Sequence, residues 1–235
     1  MKHSIEELKD VVYRYYPRGI SELDPTRVET DENRRLVEAR RQAGAECGRW
    51  RDMLRRIGDQ FPERGISNLS VHLVTGGSDA CYSGSLSLPD HTPERWHHID
   101  FMVSFLVPYY IVFSSRVFDD LEEIERIKAR SASAGDTVAL FFGDTVFVLP
   151  SDMVKPEFRE PPPLPKFRPR RRDTSFDFSA EEQSYAACIA QEIEATWGYE
   201  RMPPEVGRVI VPDVATDLHV LGEATLYDCL FSDGY

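Results

Sequence analysis

The residues of this chain that are best suited to chemistry are a cysteine, three histidines and an aspartate: His72, Cys81, His97, His98 and Asp100. If His72 and Cys81 lie on the two strands of one hairpin, the imidazole can take the proton of the thiol and create a nucleophile. Imidazole and carboxylate groups such as those of His97, His98 and Asp100 are also ligands for transition metals. These five residues define one hypothesis, an enzyme with a His/Cys/Asp pocket.

Signatures of established catalytic, nucleotide and metal sites are absent from the sequence. There is no glycine-rich phosphate loop, no G-x-G-x-x-G fingerprint and no H-E-x-x-H pair, and none of the four cysteines forms a C-x-x-C pair. The G-x-S-x-G turn of serine hydrolases is missing too. On a strand, the adjacent His97 and His98 point to opposite faces and do not share an ion. We therefore predict no metal site, no cofactor and free thiols.

The C-terminal part suggests a different function, because acidic and aromatic residues alternate there and no Lys or Arg follows Arg208. Surface carboxylates steer a basic protein toward its binding site, and exposed aromatic rings anchor the contact. The residues that we predict to bind a partner are Asp213, Asp217, Glu223, Tyr227 and Asp228. The alternative explanation is an edge strand whose charges prevent aggregation.

The charge of the chain is unevenly distributed around a formal net charge of −12 at pH 7. Residues 1–154 carry 19 basic and 25 acidic side chains, and residues 173–235 carry 2 and 13. Between them, residues 155–172 carry 7 basic and 2 acidic side chains. Nucleic-acid phosphates are repelled by so acidic a surface, whereas a basic protein is attracted to it. The charge therefore predicts a protein partner and not a nucleic acid.

Residues 155–172 break the periodic patterns on either side of them. The segment combines the run Pro161–Pro163 with a basic cluster that ends in Arg170, Arg171 and Arg172. This composition predicts an extended linker. Because residues 162–165 match the P-x-x-P pattern, a further hypothesis is a scaffold or assembly protein that docks partners through residues 155–172.

Apolar residues at helical spacing predict four helices, over residues 5–16, 31–57, 121–128 and 180–197. The first and last begin with capping boxes, Ser4 with Glu7 and Ser179 with Glu182. The last is expected to end at Gly198.

Alternating and β-branched stretches predict the strands. They are a hairpin with one solvated face over 66–88, two strands joined near Pro108 within 99–118, a hairpin over 137–149, and strands over 208–211 and 224–231. The stretch 99–118 is the most apolar, so its strands are expected to be covered on both faces.

The order of these elements predicts an α+β fold, in which an antiparallel sheet of about six to eight strands packs against N-terminal helices and one later helix. We expect a main domain at 1–154, the linker at 155–172, and an acidic helix-strand-strand segment at 173–235 that completes the same domain. The sequence has no apolar run of ~18 residues and begins with charged residues, so we predict no membrane span, no secretion signal and a cytoplasmic location.

The chain resembles the bacterial immunity proteins that neutralise polymorphic toxins. The resemblance rests on the segments MKHSIEELKDVVYRYYPRGI (Met1–Ile20) and FMVSFLVPYYIVFSSRVFDD (Phe101–Asp120), together with size, acidity and the absence of catalytic motifs. It implies a protein that binds a cognate toxin, such as a basic nuclease, and covers its active site. This immunity or inhibitor function is the leading hypothesis, and it implies that the chain is not an enzyme.

Overall fold

The computed structural model describes residues 2–68, 79–92, 96–119, 137–142, 145–150 and 170–232. It divides into two compact units. The first unit contains Met1–Pro89, His97–Ser115 and Thr174–Tyr235, and the second contains Asp90–Trp96 and Arg116–Asp173. Of the predicted acidic segment at 173–235, residues 174–235 therefore lie in the same unit as the N-terminal helices, while residue 173 and residues 116–154 belong to the other unit.

The described residues of the first unit contain seven helices. They are α1 (Ile5–Tyr15), a 3-10 helix (Pro25–Glu29), α2 (Asp31–Ala45), α3 (Cys47–Gln60), α4 (Ala180–Trp197), α5 (Pro204–Gly207) and α6 (Leu226–Leu230). Both predicted capping boxes are present, at the start of α1 and of α4. Gly198 ends α4 in the left-handed conformation, with φ of 67°, which favours glycine. Within the described residues, no helix has the length and the hydropathy needed to cross a bilayer.

The single helix predicted over 31–57 is two helices. The break falls at Glu46, whose φ and ψ are −92° and 8° and whose amide is shared between the carbonyls of Gln42 and Ala43. Gly44 and Gly48 lie two residues before and after Glu46, and glycine has a low helix propensity, so the helix is weakened on both sides of the break. The apolar stripe nevertheless continues across the break, so both helices bury side chains.

Within the part of the chain that the structure describes, six strands form one sheet. Their order is β1 (Ile66–Asn68), β2 (Cys81–Ser87), β3 (Trp96–Ser104), β4 (Tyr109–Asp119) and β7 (Arg170–Ser175), and β8 (Glu200–Arg201) also pairs with β4. The β1–β2 and β2–β3 pairs are antiparallel, and β8 runs parallel to β4. In the second unit, β5 (Thr137–Phe142) and β6 (Thr145–Pro150) form the predicted hairpin. The predicted α+β class is confirmed, as are the two strands on either side of Pro108.

The side chains of β3 alternate between two buried clusters, one on each face of the sheet. Ile99 and Phe101 pack with residues of α3 and α4, including Trp50 and Ile189. Met102 lies in the other cluster, which contains residues of α1 and α6. Helices therefore cover both faces of the sheet in the first unit, as predicted for the most apolar stretch.

The prediction that one face of β2 is solvated is wrong, because Ser83 and Ser85 are only 7% and 6% exposed. Between them lies Gly84, where a Cβ atom would approach the Phe101 ring to 2.6 Å. The glycine lets the Phe101 ring lie directly against the backbone of β2.

The two predicted C-terminal strands are also wrong. An isolated antiparallel bridge joins Ile210 to Thr225, and residues 226–230 form α6. The helix starts because Thr225 and Asp228 form a capping box, a signal that outweighs the alternating pattern. The predicted helix over 121–128 and residues 155–169 of the predicted linker lie outside the described residues, and residues 170–172 of that linker belong to β7.

Candidate functional site

A buried polar cluster lies between the sheet and α4. His97 on β3 contacts Glu182 in the first turn of α4, with 2.7 Å between Nε2 and Oε1. Ser114 on β4 donates a hydrogen bond of 2.6 Å to the same Oε1 atom. The other carboxylate oxygen accepts a hydrogen bond from the Ser179 amide at 2.7 Å, which completes the capping box. Glu182 is therefore a buried carboxylate with several donors.

The donors of this cluster stabilise the ionised form of Glu182. Burial opposes ionisation, but the hydrogen bonds from Ser114, the Ser179 amide and His97 together outweigh it and lower the pKa of Glu182 to about 2. A serine hydrolase needs the imidazole between its serine and its carboxylate. Here the serine and the imidazole both bind one carboxylate oxygen, and all three residues are at most 6% exposed. The arrangement suits a structural role in anchoring α4 to the sheet.

Among the described members of the predicted His/Cys/Asp pocket, Cys81 is separated from the residues of β3. Cys81 on β2 lies opposite Ser104, four residues along β3 from Asp100. At a strand rise of ~3.4 Å per residue, Cys81 and Asp100 are about 14 Å apart along the strand direction, and His97 is farther still. His72 lies outside the described residues. Burial also raises the pKa of Cys81 well above its usual value, which disfavours the reactive thiolate.

The remaining members of that pocket are divided between the two faces of the sheet. His97 shares its face with Ile99, toward α4, whereas Asp100 points to the opposite face. There Asp100 accepts a hydrogen bond of 2.6 Å from the buried Ser115. His98 follows His97 on β3, two positions before Asp100. Among the described residues, no three His, Cys, Asp or Glu side chains are grouped in a way that could hold a metal ion.

An open cavity of ≈ 390 Å³ lies elsewhere in the first unit, between the 3-10 helix, α2 and Asp217. Its apolar lining comes from Leu23, Pro25, Val28 and Leu36. Its carboxylates are Glu22, Asp24 and Asp217. The lining of the cavity thus combines apolar side chains with carboxylates.

The two arginines that line this cavity, Arg27 and Arg40, are held by the chain itself. Arg27 forms an ion pair of 3.4 Å with Asp217 and donates a hydrogen bond of 3.2 Å to the Ala215 carbonyl. Arg40 donates a hydrogen bond of 3.1 Å to the Asp79 carbonyl. Because its three carboxylates outnumber its two arginines, the lining is net negative.

The cavity belongs to a larger surface formed by residues 21–32 and 213–223, which we call the acidic face. These two segments contain eight Asp or Glu residues and one Lys or Arg residue, Arg27. Contacts with the N-terminal part hold the second segment in place. The Gly19 amide donates to the Asp213 carbonyl at 2.8 Å, and the Arg18 guanidinium pairs with the Asp213 carboxylate at 2.6 Å.

Five large apolar side chains on the acidic face are exposed to solvent. Leu23 is 85% exposed, and Val28 and Leu218 are each 67% exposed. Val220 and Leu221 are exposed as well. Single exposed leucines are ordinary, but several on one acidic surface are typical of a protein interaction site.

The predicted partner-binding residues have different positions. Asp213, Asp217 and Glu223 lie on the acidic face. In contrast, Tyr227 is 1% exposed and Asp228 is 7% exposed, because the exposed strand expected there is the buried helix α6. Asp228 caps that helix by accepting from Thr225 at 2.7 Å. Tyr227 and Asp228 are therefore not part of the candidate surface.

The sequence prediction missed the half of the acidic face contributed by residues 21–32. The pattern of these residues indicates only a connection around Pro25. The signal that could have identified the surface is the pair Leu23 and Val28, apolar residues within an acidic segment that fit neither a helical nor a strand period. No family model, no curated protein and no solved structure matches this chain, so the assignment of the site rests on its own geometry.

Proposed function

We propose that this protein is an immunity-type inhibitor that binds a basic protein toxin through the acidic face and thereby covers the toxin's active site. The single observation that carries the proposal is the occurrence of five exposed apolar side chains on a surface whose eight carboxylates outnumber the arginines that line it or pair with it, which are Arg18, Arg27, Arg34, Arg35 and Arg40. The enzyme alternative is less well supported, because the register of β2 and β3 separates Cys81 from Asp100 and His97.

Each component of the acidic face has its own role in the proposed complex. The carboxylates attract a basic partner over a distance and accelerate the encounter. The exposed side chains Leu23, Val28 and Leu218 then lose their contact with water, which stabilises the complex by roughly 25 cal/mol for each Å² of apolar surface buried. A catalytic cleft of a nuclease is basic because it binds phosphates, so it is complementary to this surface.

If a toxin gene lies beside the gene for this protein, the direct experiment is inhibition of that toxin. The purified toxin is assayed while the protein is titrated, and we expect complete inhibition near a one-to-one ratio. A double variant, Leu23→Ala with Leu218→Ala, should weaken inhibition at least tenfold. The matched control is Ile210→Ala, which shortens a 51%-exposed aliphatic chain outside the acidic face. Full toxin activity in the presence of excess wild-type protein would refute the proposal.

A pull-down from the native host, followed by mass spectrometry, covers the case in which no toxin gene is adjacent. We expect one stoichiometric basic protein that is released by high salt and is not retained by the double variant. A partner retained equally by the double variant and by Ile210→Ala would show that binding uses another surface.

A further inference from the structure

The cavity within the acidic face has the properties of a receptor for one long, positively charged side chain. Its ≈ 390 Å³ is at the small end of the ~300–1,000 Å³ range of ligand pockets. Arginine and lysine lay their methylene stems along apolar surface while the charged group reaches a polar rim. Leu23, Pro25 and Val28 supply exposed apolar lining here, and Glu22 and Asp24 supply carboxylates, which we call the rim.

We propose that this cavity binds an arginine side chain of the partner, with the guanidinium directed to the carboxylates of Glu22 and Asp24. This inference rests on the proposed function and deepens it, because it identifies the chemistry of the partner's anchor residue. Arginine fits better than lysine, since its planar guanidinium can donate two parallel hydrogen bonds to one carboxylate and is more weakly hydrated. Arginine is also enriched among the residues that dominate binding energy at interfaces.

The carboxylates of the rim are suited to this contact. The side chain and the amide of Thr26 donate to Oδ1 of Asp24 and lower the pKa of Asp24 below its usual value. Oε2 of Glu22 accepts a hydrogen bond of 3.0 Å from the Ser21 hydroxyl, which orients the carboxylate. The cavity's own Arg27 is directed to Asp217 and the Ala215 carbonyl. The proposed contacts of the partner's guanidinium are therefore the carboxylates of Glu22 and Asp24, because Asp217 pairs with Arg27.

The test uses small probes and the full-length protein, so its outcome does not depend on finding the partner. Amide chemical shifts are followed by NMR during titration with N-acetyl-arginine amide, with the neutral isostere N-acetyl-citrulline amide and with N-acetyl-leucine amide. We expect the arginine probe to bind with a Kd of ~1 mM, as is reasonable for so small a ligand, and to shift the amides of Leu23, Val28 and Asn33. The citrulline and leucine probes should bind at least fivefold more weakly.

Two carboxylate variants test the role of the rim. Glu22→Gln should weaken the arginine probe at least threefold, whereas Glu63→Gln, a change at an exposed carboxylate outside the acidic face, should leave its Kd unchanged. Equal binding of the citrulline probe, tighter binding of the leucine probe, absence of shifts at the cavity, or equal Kd values for the two variants would each overturn the arginine assignment. Those results would not affect the toxin-inhibition assay, so failure of this inference is distinguishable from failure of the proposed function.

Discussion

The Glu182 side chain illustrates how one buried charge can stabilise the contact between a helix and a sheet. Its residue is 3% exposed, and its carboxylate accepts hydrogen bonds from β3, β4 and its own helix cap. A buried charge is costly unless its hydrogen bonds are made, so the carboxylate, Ser114 and His97 depend on one another. The same hydrogen bonds also lower the pKa of Glu182.

The lowered pKa predicts how stability depends on pH. The pKa of Glu182 is about 2 in the folded protein and 4.5 for an unperturbed glutamate. The contribution of its ionised form to the free energy of unfolding is therefore fully present above pH 4.5 and is lost as the pH falls toward 2. The difference corresponds to about 3 kcal/mol. We expect Glu182→Gln to reduce the free energy of unfolding at pH 7 by about 1–3 kcal/mol. The difference in free energy of unfolding between wild type and Glu182→Gln, which we call the gap, should narrow as the pH falls from 4.5 to 2.

Urea denaturation at a series of pH values measures that gap. Glu181→Gln is the matched control, because Glu181 is the exposed neighbour of Glu182 in the same helical turn. The control should follow the wild-type pH profile. A gap between wild type and Glu182→Gln that is equally large at pH 7 and pH 3 would contradict the assigned pKa.

At the scale of elements, the short helix α6 shows how a local signal can override a strand pattern. Residues 224–231 alternate in a way that suggests a strand, yet Thr225 accepts from the Asp228 amide and Asp228 accepts from Thr225. All five residues of α6 are buried. The aromatic Tyr227 stacks with Phe176 at 5.2 Å between ring centroids, which places it in the core and not on a binding surface.

The cap of α6 can be tested by a pair of substitutions. Thr225→Ala removes the hydroxyl that satisfies the first turn and should lower the free energy of unfolding by about 1 kcal/mol. Thr225→Ser keeps the hydroxyl and should cost much less. Chemical denaturation of the two variants side by side measures the difference. Equal destabilisation would indicate that the methyl group, and not the cap, is what the protein requires at this position.

At the scale of the whole molecule, the net charge of −12 and the exposed apolar side chains should affect different rate constants of partner binding. Long-range attraction governs association and is screened by salt, whereas the buried contact governs dissociation. The Debye length shortens from about 10 Å at 0.1 M to about 3 Å at 1 M salt. For a complex formed through the acidic face, the association rate constant should therefore fall as the salt concentration rises.

Surface plasmon resonance with the inhibited or captured toxin provides the measurement. Raising NaCl from ~0.05 M to ~0.5 M should lower the association rate constant about tenfold or more, with a smaller change in dissociation. Leu23→Ala should have the opposite signature, an increased dissociation rate constant with little change in association. An association rate constant that is independent of salt would contradict steering by the acidic face.

Local patterns in the sequence predicted several elements correctly, and the reasons are physical. The capping boxes at Ser4 and Ser179 involve residues three positions apart, so they form wherever the helix forms. The strands around Pro108 were predicted because a run of β-branched and aromatic residues needs cover on both faces. By the same logic, the spacing of Thr225 and Asp228 predicts α6 when it is given more weight than the alternating pattern.

The sequence by itself determined the helix starts, the paired strands on either side of Pro108 and the acidic character of the C-terminal segment, because these depend on neighbouring residues and on composition. Only the tertiary structure decided which side chains meet. The register of β2 and β3 separated Cys81 from Asp100, and the packing of α6 buried Tyr227. The contacts of Arg18 and Arg27 with residues almost two hundred positions later joined segments 21–32 and 213–223 into the acidic face. Such long-range contacts depend on how elements pack, and no local spacing in the chain encodes them.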